Sequence, residues 1–190
     1  RRNADKLRAY YMESLPLLQE NFYVSLIDGR IPEDKIQKYL ADYQIDLTGP
    51  CYVVTILHTS TTDIPQNMDS FLLGLSVKKL AEEHVAGEWK SRILMYLGDI
   101  LIITQLEKKE QITAYTDSLD QLCRLAKHAC DATVTAGIGY VCNNLQDIRR
   151  SWQGARSAVS YRVIYGNTRA INIAEIDPIE SVDERWEEQE

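Results

Sequence analysis

The chain has 190 residues, a formal net charge of −7 and 45% hydrophobic residues. That acidic balance argues against a protein that itself grips a phosphate backbone, which needs a basic face. No apolar run approaches the roughly 18 residues of a membrane span, and the first residues, Arg-Arg-Asn-Ala-Asp, contain neither a signal-peptide core nor an initiator Met. The length suits one large domain, or one domain with a helical extension, and the chain is expected to be a fragment of a longer protein or a processed product. The four cysteines, Cys51, Cys123, Cys130 and Cys142, form no CxxC pair. They read as buried free thiols of a reducing cytoplasm.

Residues 4 to 27 are expected to be helical. Leu7, Tyr11, Leu15, Leu18, Phe22 and Leu26 recur at spacings of three and four, a coiled-coil-like seam. Such a seam either packs on its own domain or pairs with a second copy. Pro16 is expected to kink or break this helix near Glu13 to Leu15. Asp28-Gly29 ends it, and Pro32 with Glu33 and Asp34 opens a short second helix whose apolar face is Ile36, Tyr39, Leu40 and Tyr43.

After a turn at Gly49-Pro50, the run Cys51 to Leu57 is continuously apolar and rich in β-branched residues, as a central strand covered on both faces requires. Thr59 to Gln66 is polar and reads as loop. A helix follows from Asp69 to about Val85, with Phe71, Leu72, Leu75, Val77 and Leu80 expected to face inward. Arg92 to Tyr96 and Ile100 to Thr104 read as a hairpin about the turn Leu97-Gly98-Asp99. Lys108 to Ala129 is a long amphipathic helix with Ile112, Tyr115, Leu119, Leu122, Ala126 and Ala129 on one face.

The stretch Thr133 to Pro178 reads as strand, loop, helix, glycine stop and short strand. Val134 and Ala136 alternate with Thr133 and Thr135, the pattern of a half-buried strand. Ser151 is expected to cap a helix whose apolar side includes Trp152, Ala155, Ala158 and Val159. Gly166-Asn167 stops that helix, and Ile171 and Ile173 alternate into the last strand. The order β-α-β-β-α-β-α-β from Cys51 onward predicts an α+β fold: a ferredoxin-like βαββαβ core with an N-terminal helical extension and an appended C-terminal helix and strand. The boundaries expected are 1–48 for the helical lead-in, 49–178 for the domain, and 179–190 for an acidic tail.

A βαββαβ core with a Gly-Asp hairpin turn resembles the GGDEF domain of diguanylate cyclases. The hairpin Met95-Tyr96-Leu97-Gly98-Asp99-Ile100-Leu101 stands where that family carries Arg-Tyr-Gly-Gly-Asp-Glu-Phe. Thr135-Ala136-Gly137-Ile138-Gly139 stands where it carries its closing strand, and the helix through Ala155 to Ser160 leads to Gly166-Asn167 as the family's last helix does. Two-metal nucleotidyl transfer needs carboxylates around Mg²⁺. The resemblance places the metal ligands at the end of the first strand, here Leu57-His58-Thr59-Ser60, and at Asp99. The first site has no carboxylate, the residue after Asp99 is Ile100, and Leu97 replaces a glycine that lets the nucleotide approach. The segment Glu88-Trp89-Lys90-Ser91 lacks the Arg-x-x-Asp of the allosteric site. Cyclase activity is therefore expected to be lost. No catalytic, metal or cofactor-binding residue is expected, and His58, Leu97, Gly98 and Asp99 would line a vestigial cleft.

The runs Ser151 to Ala155, Tyr161 to Asn167 and Ile176-Asp177-Pro178 resemble the middle domain of AraC-type response regulators, and Ser14 to Phe22 resembles the connector that leaves their receiver domain. This implies a cytoplasmic, non-catalytic signal-relay and dimerisation domain of a two-component transcription factor. Its expected partners are a second copy of itself through Leu7 to Leu26, and receiver and helix-turn-helix domains of the same protein, with DNA reached only through the latter. The alternative is a small-molecule or nucleotide sensor that uses the vestigial cleft. Among other candidates, His58, His84 and His128 have no metal-ligand spacing. Gly137 and Gly139 suit close backbone packing better than phosphate binding. Arg149, Arg150, Arg156 and Arg162 make a basic helix that reads as a solvated face or as a docking surface for an acidic partner.

Overall fold

A computed structural model describes residues 1–62, 64 and 68–178; the predicted acidic tail 179–190 and part of the Thr59 to Gln66 loop lie outside the described residues. The chain divides into two compact units, Arg1–Thr48 and Gly49–Glu190.

In the first unit, α1 spans Arg2–Ile27 and α2 spans Ile36–Asp42, the latter entered through a 3-10 turn at Glu33–Lys35. The break expected at Pro16 does not occur, since α1 continues through it. Pro16 and Met12 are exposed. The carbonyl of Met12, whose bond a proline cannot supply, is thus open to water rather than orphaned in a core. Gly29, at φ +71, carries the chain out of the helix in the left-handed conformation that glycine tolerates. Ile36 and Leu40 are buried, and the Tyr39 and Tyr43 rings stack at 5.6 Å.

The second unit is a five-stranded sheet in the order β2-β3-β1-β4-β5. Its strands are β1 (Cys51–Thr59), β2 (Lys90–Tyr96), β3 (Asp99–Leu106), β4 (Val134–Ile138) and β5 (Arg169–Asn172). β1 lies at the centre, antiparallel to β3 and β4, and β5 runs parallel to β4. Helices α3 (Ser70–His84) and α4 (Ile112–Cys130) supply Leu73, Val77, Ala81, Tyr115, Leu119 and Leu122 to one core with Val53 and Leu57 of β1. Helix α5 (Ile148–Ser160) covers the opposite face. The short helices α6 (Arg162–Tyr165) and α7 (Ile173–Ile176) flank β5. The predicted βαββαβ core and its extensions are present in the expected order.

Several local expectations are corrected. On α3, Leu73, Val77 and Ala81 are buried, while Phe71, Leu72 and Leu75 are exposed. Apolar residues crowd so many positions of this helix that spacing alone does not choose the inward face. On α4, Ala129 is exposed and Cys130 packs against the core instead. β4 is buried on both faces, Thr135 included, because α4 covers one side and α5 the other, and Thr133 just before it is buried too. Ile173 starts α7 rather than continuing β5; Asn172 caps that helix through the backbone N–H of Ala174. Of the four thiols, Cys51 and Cys123 are buried, whereas Cys130 and Cys142 are only half-buried.

Ser151 is not the helix cap. A 3-10 turn at Leu145–Asp147 leads into α5 at Ile148, which leaves Ser151 inside the helix and fully buried. Its Oγ accepts a hydrogen bond from the backbone N–H of Val54 at 2.8 Å. The donor needs this partner because the strand pairing slips there. Gly139 N–H donates to the Val54 carbonyl, but Tyr52 then exchanges both of its bonds with Cys142. Two residues separate that pair on one strand where one separates it on the other, a β-bulge. The helix can reach the sheet because Gly139 and Gly137 have no side chains. A Cβ on them would stand 1.8 Å from the Ser151 carbonyl oxygen and 2.3 Å from that of Ala155. The glycine pair serves close backbone packing, as expected.

Candidate functional site

The hairpin between β2 and β3 closes in two residues. Leu97 and Gly98 both have positive φ, +51° and +82°, as a type I′ turn requires. Asp99 belongs to β3, where it pairs with Tyr96, rather than to the turn. Glycine suits such a turn. Leucine pays about 1–2 kcal/mol for the left-handed conformation, and here it is also 78% exposed at the tip.

Sheet register brings two of the predicted cleft residues together. β1 and β3 pair Ile56 with Leu101 and Leu57 with Ile100, so His58 and Asp99 follow as the next opposed pair. His58 Nδ1 and Asp99 Oδ1 are 3.0 Å apart, with side chains 28% and 34% exposed. The carboxylate that opens β3 thus faces an imidazole, where two-metal chemistry needs a second carboxylate. Ile100, which follows, is buried in the core beneath α3. Among the described residues no group of three His, Cys, Asp or Glu side chains is placed to hold a metal ion.

Leu97 and Gly98 open onto different faces of the sheet. Gly98 joins Thr59, Ser60, Thr61, Phe71 and Met95 around a cleft of about 350 Å³ near the start of α3. Leu97 joins Tyr96, Ile56, Leu101, Trp152 and Arg156 around a second cleft, about 230 Å³, between the hairpin and α5. Asp99 borders both. The single vestigial cleft expected from the sequence is therefore two clefts divided by the sheet, on whose opposite faces the successive strand residues Ile56 and Leu57 stand, and His58 lines neither.

The second cleft contains residues that the sequence reading assigned to the core or to a solvated face. The Tyr96 and Trp152 rings meet edge to face at 5.9 Å. The guanidinium groups of Arg149 and Arg156 each lie 5.7 Å from the centre of the Trp152 ring. The available signal was the spacing of Arg149, Trp152 and Arg156 at three and four, which places them on one stripe of a helix.

The seam predicted on α1 also divides. Leu15, Phe22 and Leu26 are buried and Leu18 is half-buried, while Leu7 and Tyr11 are exposed. Phe22 meets Tyr43 edge to face at 6.3 Å, so the lower half of the seam packs within its own unit. The exposed apolar residues Leu7, Tyr10 and Leu17, with Ser14 between them, follow a separate stripe of three-four spacing.

Fold and site together define a ferredoxin-like α+β domain with a five-stranded sheet and a tight β2–β3 hairpin. The model of the GGDEF-like domain family matches residues 28–161, most of the chain. The protein belongs to the GGDEF-like domain family. Comparison with curated proteins gave no match.

Proposed function

We propose that this is a non-catalytic relay and dimerisation domain of a bacterial AraC-family response regulator, working in the cytoplasm between a receiver domain and DNA-binding helices. The observation that carries the non-catalytic part of the reading is the His58–Asp99 contact at 3.0 Å; the response-regulator context rests on the sequence resemblance alone. A carboxylate engaged by an imidazole, followed by Ile100 and preceded by a Leu97-Gly98 turn, is a single and already engaged ligand where nucleotidyl transfer by two metal ions uses carboxylates for both. The exposed stripe Leu7, Tyr10, Ser14 and Leu17 on α1 supports pairing with a second copy, by which phosphorylation of a receiver would alter dimer geometry. The buried half of the predicted seam is not available for that role.

Two measurements test the proposal. Incubation with GTP and Mg²⁺ should yield no cyclic dinucleotide; turnover would end the non-catalytic reading. Sedimentation of the full chain across a concentration series should show a dimer that Leu7→Glu with Leu17→Glu dissociates. A strictly monomeric chain at the highest concentration, with regulation by the parent protein intact after the same substitutions, removes the dimerisation role.

A second reading is favoured by the 350 Å³ cleft, whose size falls within the roughly 300–1,000 Å³ of small-molecule sites. Hydroxyls of Thr59, Ser60 and Thr61 at its edge could orient a ligand without turnover. Calorimetric titration with nucleotides and metabolites distinguishes this sensor from a pure relay.

A further inference from the structure

We propose that the cleft between the β2–β3 hairpin and α5 is a binding site for a small aromatic carboxylate, its ring against Trp152 and Tyr96 and its carboxylate on Arg156. This site lies on the opposite face of the sheet from the cleft beside α3 and depends on neither reading above.

The walls set the ligand class. Ile56, Leu101, Tyr96 and Trp152 are apolar or aromatic, and the volume of about 230 Å³ is below that of drug-sized sites. A single ring fits such a space. Aromatic rings favour offset or edge-to-face packing against another ring, so the edge-to-face Tyr96–Trp152 pair leaves a third ring a matching wall.

The charges set the sign. Arg156 makes no hydrogen bond or ion pair among the described residues, and its guanidinium rests on the Trp152 ring. A guanidinium 5.7 Å from the ring centre, with no other partner among the described residues, keeps its planar fork for a carboxylate, which it binds through two parallel hydrogen bonds. Arg149 stands over the same ring and adds positive potential. From Ile148 to Ala174 the sequence has five arginines and no Asp or Glu, although the whole chain is acidic. The acid that borders the cleft, Asp99, is held by His58. Leu97 forms the lip, an exposed leucine in a backbone conformation that costs energy; strain of this kind persists where a function uses the geometry.

The test is titration of the 190-residue chain with benzoate and with benzamide, its uncharged near-isostere, followed by Trp fluorescence and by the indole N–H signal of Trp152. Benzoate should bind about tenfold tighter than benzamide, the difference a charge-assisted bidentate contact makes. Arg156→Ala should abolish that preference, with circular dichroism unchanged because the side chain is exposed. Arg8→Ala, which removes the same charge from α1, should retain it. Equal affinity for benzoate and benzamide overturns the proposal, as does a preference that survives Arg156→Ala or the absence of saturable benzoate binding with an unshifted Trp152 signal.

Discussion

Replacing Ser151 by alanine tests the contact that seats α5 on the sheet. Ser151 Oγ receives the Val54 N–H at 2.8 Å in a fully buried setting. The bulge between Gly139 and Cys142 leaves that donor without a ladder partner. Alanine removes the acceptor and admits no new one. An orphaned buried N–H costs about 1–3 kcal/mol, and the higher helix propensity of alanine returns about 0.5 kcal/mol. The net loss should be about 1–2 kcal/mol, a fall in Tm of about 3–6 °C for a chain of this size. Urea unfolding gives the global figure, and hydrogen exchange at the Val54 amide gives the local one, where protection should drop. A variant that unfolds within about 0.3 kcal/mol of the parent, with the Val54 amide still protected, would refute the reasoning. Val54 would then have another partner, and the bulge would not need the helix.

Gly139→Ala should be worse than Ser151→Ala, because its Cβ would lie 1.8 Å from a helix carbonyl oxygen and α5 must move; Gly87→Ala, whose Cβ meets Glu83 at 3.7 Å, should change urea stability by less than about 0.5 kcal/mol. Leu97→Asn should stabilise the hairpin by about 1 kcal/mol, since asparagine tolerates φ +51° and the exposed leucine buries little; an unchanged or lower Tm contradicts the strain argument. Stability should fall in alkali. Burial, and next the neighbouring Asp120, pushes the Cys123 thiol up to about 12, and burial pushes the Tyr115 hydroxyl up to about 12 against its bonds to Thr104 and Thr55. Above the ordinary values of 9.0 and 10.0, the unfolded chain releases protons that the folded chain keeps. Each group therefore contributes a loss of up to about 1.4 kcal/mol per pH unit, from its ordinary value to about pH 12. Urea midpoints between pH 8 and 11 should show this, with a flatter slope between pH 9 and 10 in Cys123→Ala.

The α+β class, the order of elements along the chain and the presence of the β2–β3 hairpin were determined by the sequence itself, although the turn was expected to include Asp99, which the pairing with Tyr96 places in β3. Each rests on local chemistry: a continuous β-branched run at Cys51 to Leu57, a Gly-Asp turn between short apolar runs, and a strong three-four pattern from Ile112 to Ala126. The glycines at 137 and 139 were legible too, since a pair in a strand means something approaches closely. Phasing was not. On α3 the apolar residues at 71, 72, 73, 75, 77 and 80 fit more than one helix face, and only packing against α4, β2 and β3 buries Leu73 rather than Phe71. Ser151 carries a capping residue's side chain, but a 3-10 turn at Leu145–Asp147 already leads into α5 at Ile148, and a bulge contributed by another segment decides what its hydroxyl binds. The site depended most on tertiary structure. His58 and Asp99 are 41 residues apart, and Trp152 with Arg156 lies further along still. Only the β1–β3 register opposes the first pair, and only the sheet that separates the faces turns one expected cleft into two. Local sequence sets what each segment can form, whereas the side a residue faces is set by which distant segment covers it.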